Sequence, residues 1–256
     1  MRRLLGVALL AIAATGCTPR ATPPATTTPA AGATSSTPLF SEDFESGKLD
    51  PAVWSQQITG DNLIQVQPQN AAHGKYALQV RCPAAANKTW AFILTNKLPA
   101  ALRDHHFGRA SIFISPQVPA RHTIFLMAGT PDFPTNAFQE IATANGRWQL
   151  TWVDLHPAGE REDYHAGDPL PTGRWVCLEW EFGATPSHTT TWVDGVPSMD
   201  IGFVSKATGK SQTLAGGFTQ YGFGFRLWGA APAAFDIYFD DIALDTQRIG
   251  PVKDAR

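Results

Sequence analysis

From Leu39 onward the chain places apolar residues at alternate positions in short runs, the period of a strand with one face on a core. Such runs are Tyr76–Arg81, Ala110–Ile114, His122–Met127, Trp148–Val153, Trp175–Phe182, Thr189–Val193, Tyr221–Trp228 and Phe235–Phe239. No stretch offers three helical turns of amphipathic spacing. Asn145-Gly146 and Asp194-Gly195 fall between runs, and Asx-Gly pairs supply the two positive φ angles of a tight hairpin turn. The pattern predicts an all-β domain over residues 39–249, a two-sheet antiparallel jelly roll, with 250–256 as a C-terminal tail. Composition agrees: 22 Gly, 20 Pro, 15 Phe and 8 Trp suit strands joined by turns, and 43% hydrophobic residues supply a large core. The 20 Lys+Arg against 22 Asp+Glu, a net charge of -2, give no basic excess to attract nucleic acid.

Residues 1–38 read as an address and a tether. Arg2 and Arg3 precede an apolar stretch, Leu4 to Ala13, too short to span a bilayer, and Ala14-Thr15-Gly16-Cys17 closes it with small residues. This resembles a bacterial lipoprotein signal, which implies cleavage after residue 16 and lipidation of Cys17; an ordinary secretory signal is the alternative. Thr18, standing where an Asp retains such proteins at the inner membrane, implies the outer membrane or cell surface. Residues 17–38, mostly Thr, Ala and Pro, cannot bury enough surface to offset ordering entropy. Cys82 and Cys177 then remain, either as one disulfide of an exported protein or as two separately buried thiols.

Several motifs carry a family resemblance. Phe40-Ser-Glu-Asp-Phe-Glu-Ser-Gly47 with Trp54, His73-Gly-Lys-Tyr-Ala-Leu78, Phe107-Gly-Arg109, Arg174–Trp180, Trp192-Val-Asp-Gly195 and Tyr238-Phe-Asp-Asp-Ile-Ala243 resemble concanavalin-A-like jelly rolls. Within that group the pattern is most similar to the fungal cellulose-inducible secreted protein and the glucuronan lyase-like polysaccharide lyases. The resemblance implies a carbohydrate-active protein with an acidic polysaccharide as partner. It also implies a structural calcium ion. Alternation from Phe40 and Phe44 puts Glu42 on the side of the core, as alternation from Phe235, Ile237 and Phe239 does for Asp241. Buried carboxylates need a cation or a basic partner. The family's ion would take Glu42, Asp43, Asp241 and the loop at His73; alternatively these acids and Asp240 are solvated strand ends.

Lytic cleavage of a uronic-acid chain needs a cation to neutralise the carboxylate, a base for the C5 proton and an acid for the leaving O4. Arg109, which alternation points away from the core, and Arg226 are the candidate cations, with Gln139 assisting. His122 and Tyr221 are the candidate bases, and Trp152 and Trp228 the candidate platforms for sugar faces. A glycoside hydrolase instead needs two carboxylates flanking the bond; Glu179 and Glu181, on one face of a strand and otherwise substrate-binding candidates, are the available pair. A non-catalytic carbohydrate-binding module needs the aromatics but no base. No phosphate-cradling Gly loop, zinc spacing or Gly-x-Ser-x-Gly elbow appears.

Overall fold

A computed structural model describes residues 37–130, 137–154 and 161–252. Among them are fifteen β-strands, one short 3-10 turn at Ala100–Leu102 and no α-helix. The signal expected at 1–16, the lipidation expected at Cys17 and all but the last two residues of the tether expected at 17–38 lie outside the described residues.

The strands pair antiparallel into two sheets, the sandwich that the alternating pattern predicts. The first sheet is formed by β1 (Phe40–Glu42), β3 (Leu63–Gln67), β4 (Ala77–Cys82), β6 (His105–Ile114), β11 (Trp175–Ala184), β12 (Ser187–Val193), β13 (Val196–Gly202) and β15 (Phe235–Asp245). Their order is β13-β12-β11-β6-β15-β4-β3, with β1 also on β15. The second sheet is formed by β2 (Ser55–Ile58), β5 (Asn87–Thr95), β7 (Thr123–Gly129), β8 (Ala137–Ala144), β9 (Arg147–Asp154), β10 (Arg161–Pro169) and β14 (Gln220–Ala230), in the order β10-β9-β8-β7-β14-β5-β2. Both hairpins form where the Asx-Gly pairs stand. Asn145 and Gly146 have φ of 54° and 70°, and Asp194 and Gly195 have 52° and 79°.

The core lies between the sheets. Ala110, Ile112 and Ile114 of β6, Leu178, Trp180 and Phe182 of β11, and Phe235, Ile237 and Phe239 of β15 meet Tyr221, Phe223, Phe225 and Leu227 of β14. Within it, Tyr221, Phe182 and Phe218 stack around His106. Trp180 Nε1–H donates to the Tyr221 hydroxyl at 3.0 Å, so that hydroxyl is free to donate to His106 Nε2, while His106 Nδ1–H donates to Leu102 O at 2.6 Å. This chain of bonds satisfies a neutral imidazole only. Burial accordingly holds the His106 pKa down at about 3. A base whose folded pKa is depressed gives stability that is complete above its unfolded value, near 6.5, and lost as pH falls toward 3. The melting temperature should therefore drop steadily as pH falls below about 6.5, and His106→Asn should melt lower at neutral pH but with a shallower acid slope.

Cys82 and Cys177 are both free and buried. Cys82 joins the inter-sheet core from β4, whereas Cys177, opposite Ser111, points outward from β11. With β15 and β6 between their strands, the backbones stand roughly 14 Å apart, about twice the reach of a disulfide. The separate-thiol reading is the one the fold adopts, and burial raises both thiol pKa values to about 11.

The outer face of the first sheet is partly strapped by the chain's end. Arg248 makes two hydrogen bonds to Glu179, of 3.0 and 2.9 Å, and its guanidinium stacks 4.2 Å over the Trp192 ring. Arg109 Nη1 donates to Gly250 O at 3.4 Å.

Candidate functional site

The outer face of the second sheet gathers the aromatic, cationic and carboxylate groups that a glycan site needs. In β14 the alternation is strict: Tyr221, Phe223, Phe225 and Leu227 turn into the core, so Gly222, Gly224, Arg226 and Trp228 turn outward. Gly224, at φ 152°, lies so close to β5 that a Cβ would come within 2.0 Å of Ala91 O, so only glycine permits this pairing two residues before Arg226. Arg226 stands opposite Trp90 of β5 on one side and Ile124 of β7 on the other. Its guanidinium lies 4.2 Å over the Trp228 ring and 5.9 Å from the Trp90 ring. The backbone N–H of Trp228 donates to His122 O at 3.2 Å, which sets His122 beside this pair.

His122 Nε2 lies 3.8 Å from the Glu140 carboxylate of β8, itself only 2% exposed. Burial first, and the charge of Arg226 second, lower the His122 pKa to about 4. The imidazole is therefore neutral at ordinary pH and able to take a proton. Around these groups Phe92, Leu94, Ile124, Met127, Phe138, Ala142 and Val153 pack as a second apolar cluster, each no more than 7% exposed. The flanks of the face are open: Trp90 is 36% exposed, Trp228 42% and Tyr164, on β10, 55%.

The structure brings together only part of the set nominated from sequence. His122, Arg226 and Trp228 meet on this face. Gln139 instead lies between the sheets, donating to Gly183 O at 2.7 Å and accepting from Thr189 Oγ1 at 2.7 Å. Tyr221 is the buried partner of His106 and Trp180, and burial pushes its pKa well above 10. Trp152 is buried in the core, so it offers sugars no surface. Arg109, Glu179 and Glu181 are on the outer face of the other sheet, with the whole sandwich between them and His122. Glu179 is sealed under Arg248, and Glu181 Oε1 bonds to His105 Nε2 at 2.7 Å, so neither flanks an open cleft as a hydrolase pair must. Glu140, Trp90 and Tyr164 were missed by the sequence reading.

The acids nominated for calcium do not share a face: Glu42, opposite Ile242, turns toward the core, whereas a bulge in the middle of β15 shifts the alternation and turns Asp241 outward, contrary to the parity expected from Phe239. Glu42 accepts from Phe44 N–H and from Trp54 Nε1–H, both at 2.8 Å, and Asp43 from Glu45 N–H at 3.1 Å. Asp241, at φ 49° in a bulge of β15, meets His73 Nδ1 and the Ser111 hydroxyl. Asp240 is buried beside it, and burial together with the Asp241 charge raises its pKa to about 7. Among the described residues no three His, Cys, Asp or Glu side chains converge as a metal cage. The Asp240 carboxylate is satisfied by the backbone, accepting from Ala72, His73 and Asp241 N–H at 3.0, 3.2 and 2.9 Å.

This architecture is the concanavalin-A-like β-sandwich. No family model and no curated protein matches the chain in sequence. Solved structures do match its fold. One described as a cellulose induced protein, Cip1, aligns over 82% of this chain and 99% of its own, with TM-score 0.63 and 21% identity. An endo-β-1,4-glucuronan lyase from the fungus Trichoderma reesei aligns over 85% and 100%, with TM-score 0.61 and 12% identity. A mixed-linkage glucan GH16 protein of Bacteroides ovatus aligns over 80% and 99%, with TM-score 0.53 and 15% identity. At such identities the likeness is one of fold alone.

Proposed function

We propose that the outer face of the second sheet binds an acidic polysaccharide and cleaves it by β-elimination. The observation that carries this reading is one face holding Arg226, a neutral His122 and the buried Glu140 within reach of His122. Arg226 would pair with the uronate carboxylate and so acidify the C5 proton. His122 would accept that proton, the C4–O4 bond would break as the C4–C5 double bond forms, and the imidazolium would return the proton to O4. Glu140, 3.8 Å away, would stabilise the imidazolium as it forms. A uronate bound at Arg226 offsets one of the two causes that depress the His122 pKa, so substrate itself makes the base stronger. The near-complete burial of Glu140 favours a second reading, a non-catalytic glycan-binding module that uses only the exposed flanks. Incubating the protein with a panel of polyuronates and following absorbance of the unsaturated product separates them: a lyase gives product from at least one, whereas a binding module is retained by the polymer and gives none.

We further propose that the domain is displayed at the outer membrane or cell surface by lipid on Cys17, and that a structural calcium ion is held at Asp241 and the loop at His73. A ligand bound only by the native state adds stability, so a chelator should lower the melting temperature of the wild type. Asp241→Asn should melt lower and lose that sensitivity. A melt that chelator leaves unchanged counts against the ion.

A further inference from the structure

We propose that the rim of the second sheet beside Arg226, where Arg121 and Arg147 stand, holds the rest of a bound polyuronate, so that the chain runs across the strand ends. This deepens the reading of Arg226 as the partner of a uronate carboxylate and rests on it. Away from the rim the face is closed: Met127, Glu140 and Thr151, outward on β7, β8 and β9, are at most 2% exposed. The rim is open along its length. Trp90 and Trp228 are 36% and 42% exposed, and Arg121 and Arg147 are exposed as well.

Contacts fix the order of groups along this rim. Arg226 stands opposite Trp90, and Trp228 N–H donates to His122 O at 3.2 Å. The next residue of β14, Gly229, lies under Arg121: a Cβ there would come within 2.8 Å of the Arg121 Cδ and 3.7 Å of its Nη1. The missing side chain thus makes room for the guanidinium to lie against β14 beside Trp228. Asn145 N–H donates to Ala120 O at 2.6 Å, which joins the β8–β9 turn to the segment that carries Arg121. Just past that turn, Arg147 opens β9 and points outward, since Trp148 points into the core. Its Nε–H donates to Gly167 O of β10 at 2.6 Å, which fixes its direction. From β14 to β9 the rim crosses three inter-strand spacings, roughly 14 Å.

Neither Arg121 nor Arg147 has an ion-pair partner among the described residues. In a chain of net charge -2, these two and Arg226 make a local excess of positive charge at one end of one sheet. A guanidinium presents a fork of N–H donors that matches a carboxylate. A polymer with a carboxylate on each residue meets that fork repeatedly along the rim, and a neutral glycan gains nothing from it.

The test is retention in affinity electrophoresis through polyglucuronate, its carboxyl-reduced neutral counterpart and single-stranded DNA, over a range of salt. Arg121→Ala and Arg147→Ala should each weaken retention by polyglucuronate about fivefold, and the double variant by about the product. Both should also flatten its salt dependence. Arg121→Lys and Arg147→Lys should keep most of the affinity, and retention by the neutral polymer should not change in any of the four. Lys210→Ala, which removes an exposed charge elsewhere, should behave as wild type. Wild-type retention of the double variant, while Arg226→Ala loses it, would overturn the rim and leave the site at Arg226 standing. DNA retained as strongly as polyglucuronate, and lost in the same variants, would overturn the sugar as occupant. A wild type that no polymer retains would overturn the glycan reading itself, and this proposal with it.

Discussion

Arg226→Ala should reduce polyuronate turnover by on the order of a hundredfold or more, with the loss mainly in kcat. The charge that develops as the C5 proton leaves is delocalised into the carboxylate that Arg226 faces, so the guanidinium is worth more in the transition state than in the bound substrate. His122→Ala should cost a similar factor, because a positioned base contributes about a hundredfold or more. The wild-type rate should rise with pH through the region where the imidazole loses its proton and then level off, and His122→Ala should lack that limb. Arg109→Ala belongs in the same experiment. It was nominated from sequence beside Arg226, but it lies on the opposite outer face and should leave kcat near wild type. Initial rates of unsaturated-product formation over a range of substrate concentrations separate kcat from KM and check all three.

The second large effect concerns stability. Arg248→Ala should destabilise the fold by about 3 kcal/mol, because it strands the Glu179 carboxylate, 2% exposed, without its bidentate partner. A domain of this size would then melt lower by roughly 10 °C. Removing both charges is expected to cost less: Arg248→Ala with Glu179→Leu should recover much of the loss, since no buried charge remains. The guanidinium's stacking on Trp192 is lost in either case, so recovery should be incomplete. Urea denaturation of the two single variants and the double variant measures the coupling.

Much of the architecture was legible where one face of a strand is apolar and the other polar. Tyr221–Trp228 is the best case: its alternation separates Arg226 and Trp228 from the core aromatics, and the structure keeps that separation. The same rule already opposed three of the nominated site residues. Gln139 is in phase with Ile141, Trp152 with Leu150, and Tyr221 with Phe223 and Phe225, and each is buried with those neighbours. Glu140, one position from Gln139, takes the opposite face and joins His122 instead.

The rest was hidden by an outer face with an apolar cluster of its own. β7, Thr123–Gly129, is buried at every position, so period two vanishes and neither face can be read. Phe92 and Leu94 do the same to β5, and Trp90 was lost within it. Tyr164 sits in a polar strand, Arg161–Pro169, that no apolar rhythm announces. The pairing of Glu179 with Arg248 joins residues 69 apart in sequence and could come only from the fold.

A crystal structure of the protein with a uronate oligosaccharide tests the central claim most directly. The account predicts a sugar chain on the outer face of the second sheet, a carboxylate paired with Arg226 and a ring's C5 facing His122. A chain seated instead on the first sheet's outer face, beside Arg109 and Glu181, would contradict it.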